Sequence, residues 1–240
     1  MNKTIKEAIE LVNGLKREFA DIEEVEIVVC PPYTALSDVY ELIMDSNIKL
    51  GAQDVYWEEK GAFTGEISPQ MLKDAGCQYV IIGHSERRKY FGETNQTVNK
   101  KLKAVIRTGL LPIVCVGEKL EERQSGKTFD VVKDHVEGSL ADLTAEDMGK
   151  TVIAYEPVWA IGTGVNATPQ QAQEVHSYIR KLLTDMFDEE IANNTRIQYG
   201  GSVTPENIKE LIAQEDVDGA LVGGASLKVD SFTKIVKGAM

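Results

Sequence analysis

The chain has 240 residues, 42% hydrophobic and 27% charged, ordinary values for a folded globular protein that exclude a disordered or fibrous one. Lys and Arg number 26 against 38 Asp and Glu, a net charge of -12, which disfavours non-specific attachment to nucleic acid or an anionic membrane surface. No apolar run approaches the ~20 residues of a membrane span, and Met1–Thr4 leads into an amphipathic segment rather than a leader, so a cytoplasmic protein with no membrane partner is expected.

In chain order, Ile5, Ala8, Ile9, Val12, Leu15 and Phe19 recur at spacings of three and four and predict a helix with one buried stripe. Thr4 and Glu7 give it a capping box, each side chain accepting a backbone N–H that the helix start leaves orphaned. Apolar runs follow at Val25–Cys30, Ile48–Ala52, Tyr79–Gly83, Leu111–Val116, Val152–Tyr155, Thr195–Tyr199 and Gly219–Val222. Most are continuous rather than alternating, as parallel strands covered on both faces require. Between them Ser68-Pro69, Thr168-Pro169 and Thr204-Pro205 predict helix starts, and Gly76 and Gly109 predict helix ends.

No linker divides the chain, so one domain over 1–240 is expected, a size that suits a single α/β barrel. Periodicity alone leaves an open doubly wound sheet as the alternative. Strand and helix alternate, yet the pattern opens on a helix, which predicts a barrel or open sheet lacking its first strand. The three cysteines, Cys30, Cys77 and Cys115, are far apart and the three histidines do not cluster, so neither a disulfide framework nor a metal site is expected.

Barrel chemistry lies where strands end. His84 leaves one such end at Gly83-His84-Ser85-Glu86, where the N–H groups of a following helix start would disfavour an imidazolium. His135 and His176 fall inside predicted helices, where packing or solvated roles are expected. Glu156 ends another strand and heads Pro157-Val158-Trp159-Ala160-Ile161-Gly162-Thr163-Gly164, a proline, bulky apolar residues and glycines laid out like a hinged lid. Gly200-Gly201-Ser202 and Gly223-Gly224-Ala225-Ser226 follow the last two strands, and bare N–H groups at a helix start attract anions, although such a glycine pair is more often a plain turn.

In this order, Gly83-His84-Ser85-Glu86-Arg87-Arg88, Ala154 to Gly164, Tyr199-Gly200-Gly201-Ser202 and Val222-Gly223-Gly224-Ala225 resemble the triosephosphate isomerase family, and the match covers essentially the whole chain. The resemblance implies a (β/α)8 TIM barrel that interconverts dihydroxyacetone phosphate and D-glyceraldehyde 3-phosphate through an enediolate, with no cofactor. It further implies Glu156 as the base, neutral His84 as the group that polarises the carbonyl, and Glu86 in support; that pairing is the family's known one rather than a reading of spacing. Gly162, Ser202, Gly223 and Gly224 would hold the phosphate and keep water out. Gly61-Ala62-Phe63-Thr64-Gly65-Glu66 resembles the family's dimer loop, so a homodimer through 61–66 is expected.

One departure stands out. The family opens with a strand carrying an asparagine and a catalytic lysine, whereas here Met1-Asn2-Lys3-Thr4 matches the end of that segment and Lys3 lies beyond the lysine's position. Losing such a preorganised charge costs on the order of 10²–10³ in rate or more, so a nearly inactive and poorly stable chain is expected, the strands flanking the gap being left with open edges. The competing readings are an inactive sugar-phosphate-binding paralogue and a different phosphate-binding barrel enzyme. Binding alone needs no base, and the second reading leaves the His84–Glu156 pair and its lid unaccounted for.

Overall fold

The computed structural model describes residues 1–161 and 167–240. Seven strands, β1 (Ile27–Val29), β2 (Ile48–Ala52), β3 (Tyr79–Ile82), β4 (Leu111–Val116), β5 (Val152–Tyr155), β6 (Ile197–Tyr199) and β7 (Gly219–Ala220), form one sheet in sequence order among the described residues. Every pairing is parallel, with Ile27 opposite Ile48, Tyr79 opposite Leu111, Ile113 opposite Val152 and Tyr199 opposite Ala220. Each apolar run of the sequence supplies one strand, and β3, β4 and β5 are continuous because both faces are covered, whereas β6 (Ile197-Gln198-Tyr199) alternates.

The two faces separate residue by residue. Tyr79, Ile81, Ile113, Cys115, Val152 and Ala154 form an inner cluster with Val28, Cys30, Leu111 and Leu221, filling the curl of the sheet. Their neighbours Val80, Ile82, Val114, Val116, Ile153 and Tyr155 belong to the outer core beneath the helices. Alternate side chains of a strand point to opposite faces, so two layers of core come from one set of runs.

The first helices are α1 (Ile5–Glu18), α2 (Leu36–Ile43), α3 (Pro69–Asp74), α4 (Ser85–Tyr90), α5 (Asn95–Thr108) and α6 (Leu120–Gln124). They are followed by α7 (Thr128–Ser139), α8 (Ala145–Met148), α9 (Pro169–Met186), α10 (Glu189–Asn194), α11 (Ile208–Ile212) and α12 (Val229–Gly238). Thr4 caps α1 with the reciprocal bonds that its spacing from Glu7 predicts, Thr4 N–H reaching Glu7 Oε2 at 2.7 Å. Ser68 and Thr168 cap α3 and α9, while Gly76 (φ 88°) and Gly109 (φ 82°) follow helix ends in the left-handed region open to glycine.

The helix predicted from Thr204-Pro205 begins later than its signal, although Thr204 Oγ1 accepts the Glu206 N–H at 3.3 Å. Asn207 turns back, accepting the Thr204 N–H at 2.8 Å and donating from Nδ2 to Ser202 O at 3.0 Å, so residues 205–207 form a turn and α11 begins at Ile208. Those bonds tether the loop after β6, while Thr204 O accepts the Ile208 N–H at 3.2 Å and leads the turn into the helix.

Among the described residues β1 pairs only with β2, and β7 only with β6. The helical layer nevertheless continues past these edges, because α1 packs on α12. A Cβ at Gly14 would lie 2.5 Å from Val229, Phe19 meets Phe232 edge-on at 5.9 Å, and Lys237 Nζ reaches Glu18 Oε2 at 3.1 Å. At the strand starts Glu26 accepts from Tyr79 and Arg196, each at 2.6 Å, tying the β1 side to β3 and β6. Among the described residues no helix is long and apolar enough to cross a membrane.

Candidate active site

His84 and Glu156 are separated by 72 positions, yet β3 and β5 deliver them to the same place. His84 Nε2 lies 2.9 Å from Glu156 Oε1. Ser85 reinforces the pair, donating its N–H to Glu156 Oε2 at 2.9 Å and its hydroxyl to Oε1 at 3.1 Å. Glu156 is 2% exposed, so this ring of donors replaces the water that a buried carboxylate would otherwise lack.

His84 is the N-cap of α4, and its Nδ1 accepts the Glu86 N–H at 3.2 Å. A nitrogen that accepts carries no proton, so the ring's hydrogen is on Nε2 and points at Glu156. Burial pulls the His84 pKa down, but the hydrogen bond and charge of Glu156 push it up further, and the net shift is upward. The Glu86 carboxylate is exposed, with Oε2 3.9 Å from Nδ1, so it is the Glu86 main chain that touches the histidine.

Several residues that sequence reasoning left without a role support this pair. Cys115, on the inner face of β4, has its thiol pKa driven well upward by burial and then by the charge and hydrogen bond of Glu156. Gly117, just past β4, presses on Glu156: an added Cβ would lie 1.8 Å from the Glu156 carbonyl oxygen. Glu118 is fully buried and gathers the Tyr155 hydroxyl at 3.0 Å, Trp159 Nε1 at 2.9 Å and Arg123 Nη1 at 3.2 Å. Arg123 also lies over the Trp159 ring at 4.6 Å, so the start of the predicted lid is held by a carboxylate and a cation together. Glu156 directly follows a strand end, whereas Glu118 stands one residue further past β4, so the signal that marked Glu156 passes over Glu118.

The glycine turns approach from the other side. Gly200 N–H donates to Tyr155 O at 2.7 Å, and a Cβ there would sit 3.0 Å from Glu156 Cγ, so glycine lets β6 close on the carboxylate. Ser202 follows in the loop that Asn207 tethers. Gly223 and Gly224, after β7, lie at the surface with nothing within 4 Å of an added Cβ, and the segment Gly224–Leu227 is a short 3-10 helix rather than an α-helix. Gly162 lies outside the described residues.

The family model for triosephosphate isomerase matches residues 1–239. The chain belongs to the triosephosphate isomerase family. The triosephosphate isomerase of Carboxydothermus hydrogenoformans is 59% identical over 240 residues, all of this chain and 96% of that protein. That of Endomicrobium trichonymphae is 57% identical over 237 residues, 99% of this chain and 94% of its own length. The Fusobacterium nucleatum triosephosphate isomerase is 53% identical over 237 residues, with the same coverage. The family's barrel and the curled parallel sheet described above agree.

Of the packing and solvated roles expected for the remaining histidines, the structure shows packing ones. His176, on α9, is fully buried between the rings of Tyr155 and Tyr199, and its Nδ1 donates to Asp216 O at 3.0 Å. His135, on α7, accepts the Gly117 N–H on Nδ1 at 3.3 Å. Neither is a solvated side chain, and burial pushes both down to about 4.

Proposed function

We propose that this chain is an aldose–ketose isomerase that interconverts dihydroxyacetone phosphate and D-glyceraldehyde 3-phosphate by moving one proton between adjacent carbons. The observation that carries the reading is the 2.9 Å contact between His84 Nε2 and the buried Glu156 carboxylate, in a member of this family. A carboxylate held by hydrogen-bond donors and shielded from water is a base that can take a carbon-bound proton next to a carbonyl. An N–H beside it can stabilise the oxyanion that results.

The two groups bond to each other while no substrate intervenes. Nε2–H serves one acceptor well at a time, so a substrate carbonyl that takes it frees Glu156 Oε1 to face the adjacent carbon. The upward push on His84 comes from Glu156, and it fades once that carboxylate accepts the substrate's proton and its charge is lost. The imidazole then works as a neutral donor, with Nδ1 still held by the Glu86 N–H. Glu86 therefore supports the ring from its main chain.

In this reading Ser202, Gly223, Gly224 and Gly162 bind the phosphate through hydroxyl and amide donors, which a net charge of -12 makes necessary in place of a broad basic surface. Residues 61–66 form the contact with a second copy, in a cytoplasmic homodimer. Phe63 is 40% exposed on a platform made by Tyr56 at 4.8 Å, and Gly65 (φ 92°) shapes the turn behind it. A coupled assay on the purified chain tests the reaction: turnover of either triose phosphate is expected in both directions. Binding of triose phosphate without turnover in either direction would replace this reading by that of a non-catalytic binder.

A further inference from the structure

The backbone around Glu156 is touched from the β6 side by Gly200 and from the β4 side by residues 116–118, and the closest approach is that of Gly117. Glu156 N–H donates to Val116 O at 2.7 Å, Val158 N–H donates to Glu118 O at 3.1 Å, and Gly117 between them has no room for a side chain against the Glu156 carbonyl. Residues 116–118 therefore act as a mould for the Glu156 main chain. A mould works only if it is itself fixed, and the Gly117 N–H, past the end of the strand ladder, makes its bond to a side chain: the imidazole of His135.

We propose that His135 is a positioning residue for the catalytic base, holding the Gly117 peptide from behind so that Glu156 presents its carboxylate to His84 and the substrate. The inference rests on the isomerase reading of the site and adds to it a residue that touches neither substrate nor reacting atoms. Three features support it. His135 lies beside the buried stripe of α7 formed by Thr128, Val132, Val136 and Ser139, so the ring is delivered by a packed helix. Its Nδ1 faces a donor, which fixes the hydrogen on Nε2 and keeps the accepting lone pair toward Gly117. Burial and the nearby Arg88 charge also oppose protonation, so the acceptor persists at neutral pH.

The same helix has a second arm that leads to His84. Asp134 accepts from Asn95 Nδ2 at 2.8 Å, Asn95 Oδ1 accepts from Arg88 Nη1 at 2.7 Å, and Arg88 Nε donates to the carbonyl of Gly83, the residue before His84, at 2.9 Å. Helix α7 thus braces both reacting groups, one through His135 and Gly117, the other through Asp134, Asn95 and Arg88.

The test separates the accepting atom from the bulk of the ring. His135→Asn places an amide oxygen near the position of Nδ1, whereas His135→Leu fills similar space with no acceptor. In the free protein, hydrogen exchange of the backbone at 153–158, read by mass spectrometry, is expected to rise about tenfold in H135L and to stay near the parent rate in H135N, one net hydrogen bond being worth roughly that factor. Turnover is expected to follow the same order, with kcat lower in H135L by a comparable factor and KM changed by less than about twofold. Melting temperature falls in both, since both lose the ring. Exchange in H135L equal to the parent, or raised equally in both variants, overturns the proposal. If H135L does not fold, His135→Ser, too short to reach Gly117, replaces it in the comparison. A parent that turns over no triose phosphate refutes the isomerase reading instead, and the exchange result still decides the role of His135.

Discussion

The wall formed by β3, β4 and β5 differs sharply from the edges at β1 and β7. Along β3 and β5 every residue is buried, and along β4 all but Leu111, whereas β1 is half-exposed past its first residue and β7 along its length. Glu156, His84 and the Gly117–Glu118 mould all hang from the closed wall, while Gly223 and Gly224 follow an edge strand. Proton transfer demands placement to a fraction of an ångström, and an anion cradle of backbone amides tolerates more movement. The most fully buried part of the sheet therefore carries the groups for which the proposed reaction needs the finest placement.

Core substitutions offer the strongest challenge to that contrast. Ile153→Ala, at a fully buried site in β5, is expected to cost about 3–4 kcal/mol of unfolding free energy, and Val29→Ala at the half-exposed β1 about 1 kcal/mol or less. Denaturant titration of both variants measures this, and equal losses would mean that the edge is as firmly packed as the wall.

A pH titration of stability reports on the histidines behind the wall. His135 and His176 are held down at about 4 from an ordinary 6.5, so between those values the unfolded chain binds protons that the folded one refuses. Stability is complete above about pH 6.5 and falls as pH drops toward 4, with fully buried His176 alone costing on the order of 3 kcal/mol across that window. His84, raised rather than lowered, opposes this with a contribution present at low pH and lost as pH rises through its folded pKa. Replacing His176 by Phe should flatten the acid limb, which melting curves between pH 4 and 7 would reveal.

Two glycines sharpen the comparison at the site itself, with smaller effects. Gly200→Ala pushes on Glu156 Cγ from 3.0 Å and is expected to lower kcat about tenfold with KM little changed. Gly223→Ala meets nothing within 4 Å, so it should leave the melting temperature unchanged while raising KM through the phosphate contacts. A Gly223→Ala variant with normal KM would mean that no phosphate lies against the Gly223 Cα.

Much of this was legible in the sequence because it is local. Seven apolar runs gave seven strands in register order, and Thr4, Ser68, Thr168, Gly76 and Gly109 marked helix ends by chemistry that acts within a few residues. His84 and Glu156 stood out by their address at strand ends. What stayed hidden depends on contacts between distant segments: Cys115 lies against a carboxylate 41 positions on, and His135 reaches back 18 positions to a peptide N–H. No periodicity encodes such pairs. The Thr204-Pro205 signal marked a capped first turn, but the regular helix α11 starts only at Ile208, where the Asn207 side chain has bonded back to the loop.

Removal of a carbon-bound proton by Glu156 is the step on which the proposed isomerisation depends. Dihydroxyacetone phosphate incubated in D2O with the parent protein should exchange one C1 hydrogen for deuterium, followed by proton NMR, and Glu156→Gln should slow that exchange by roughly 10³-fold or more. Exchange at the same rate in parent and variant, or none with the parent, would contradict it.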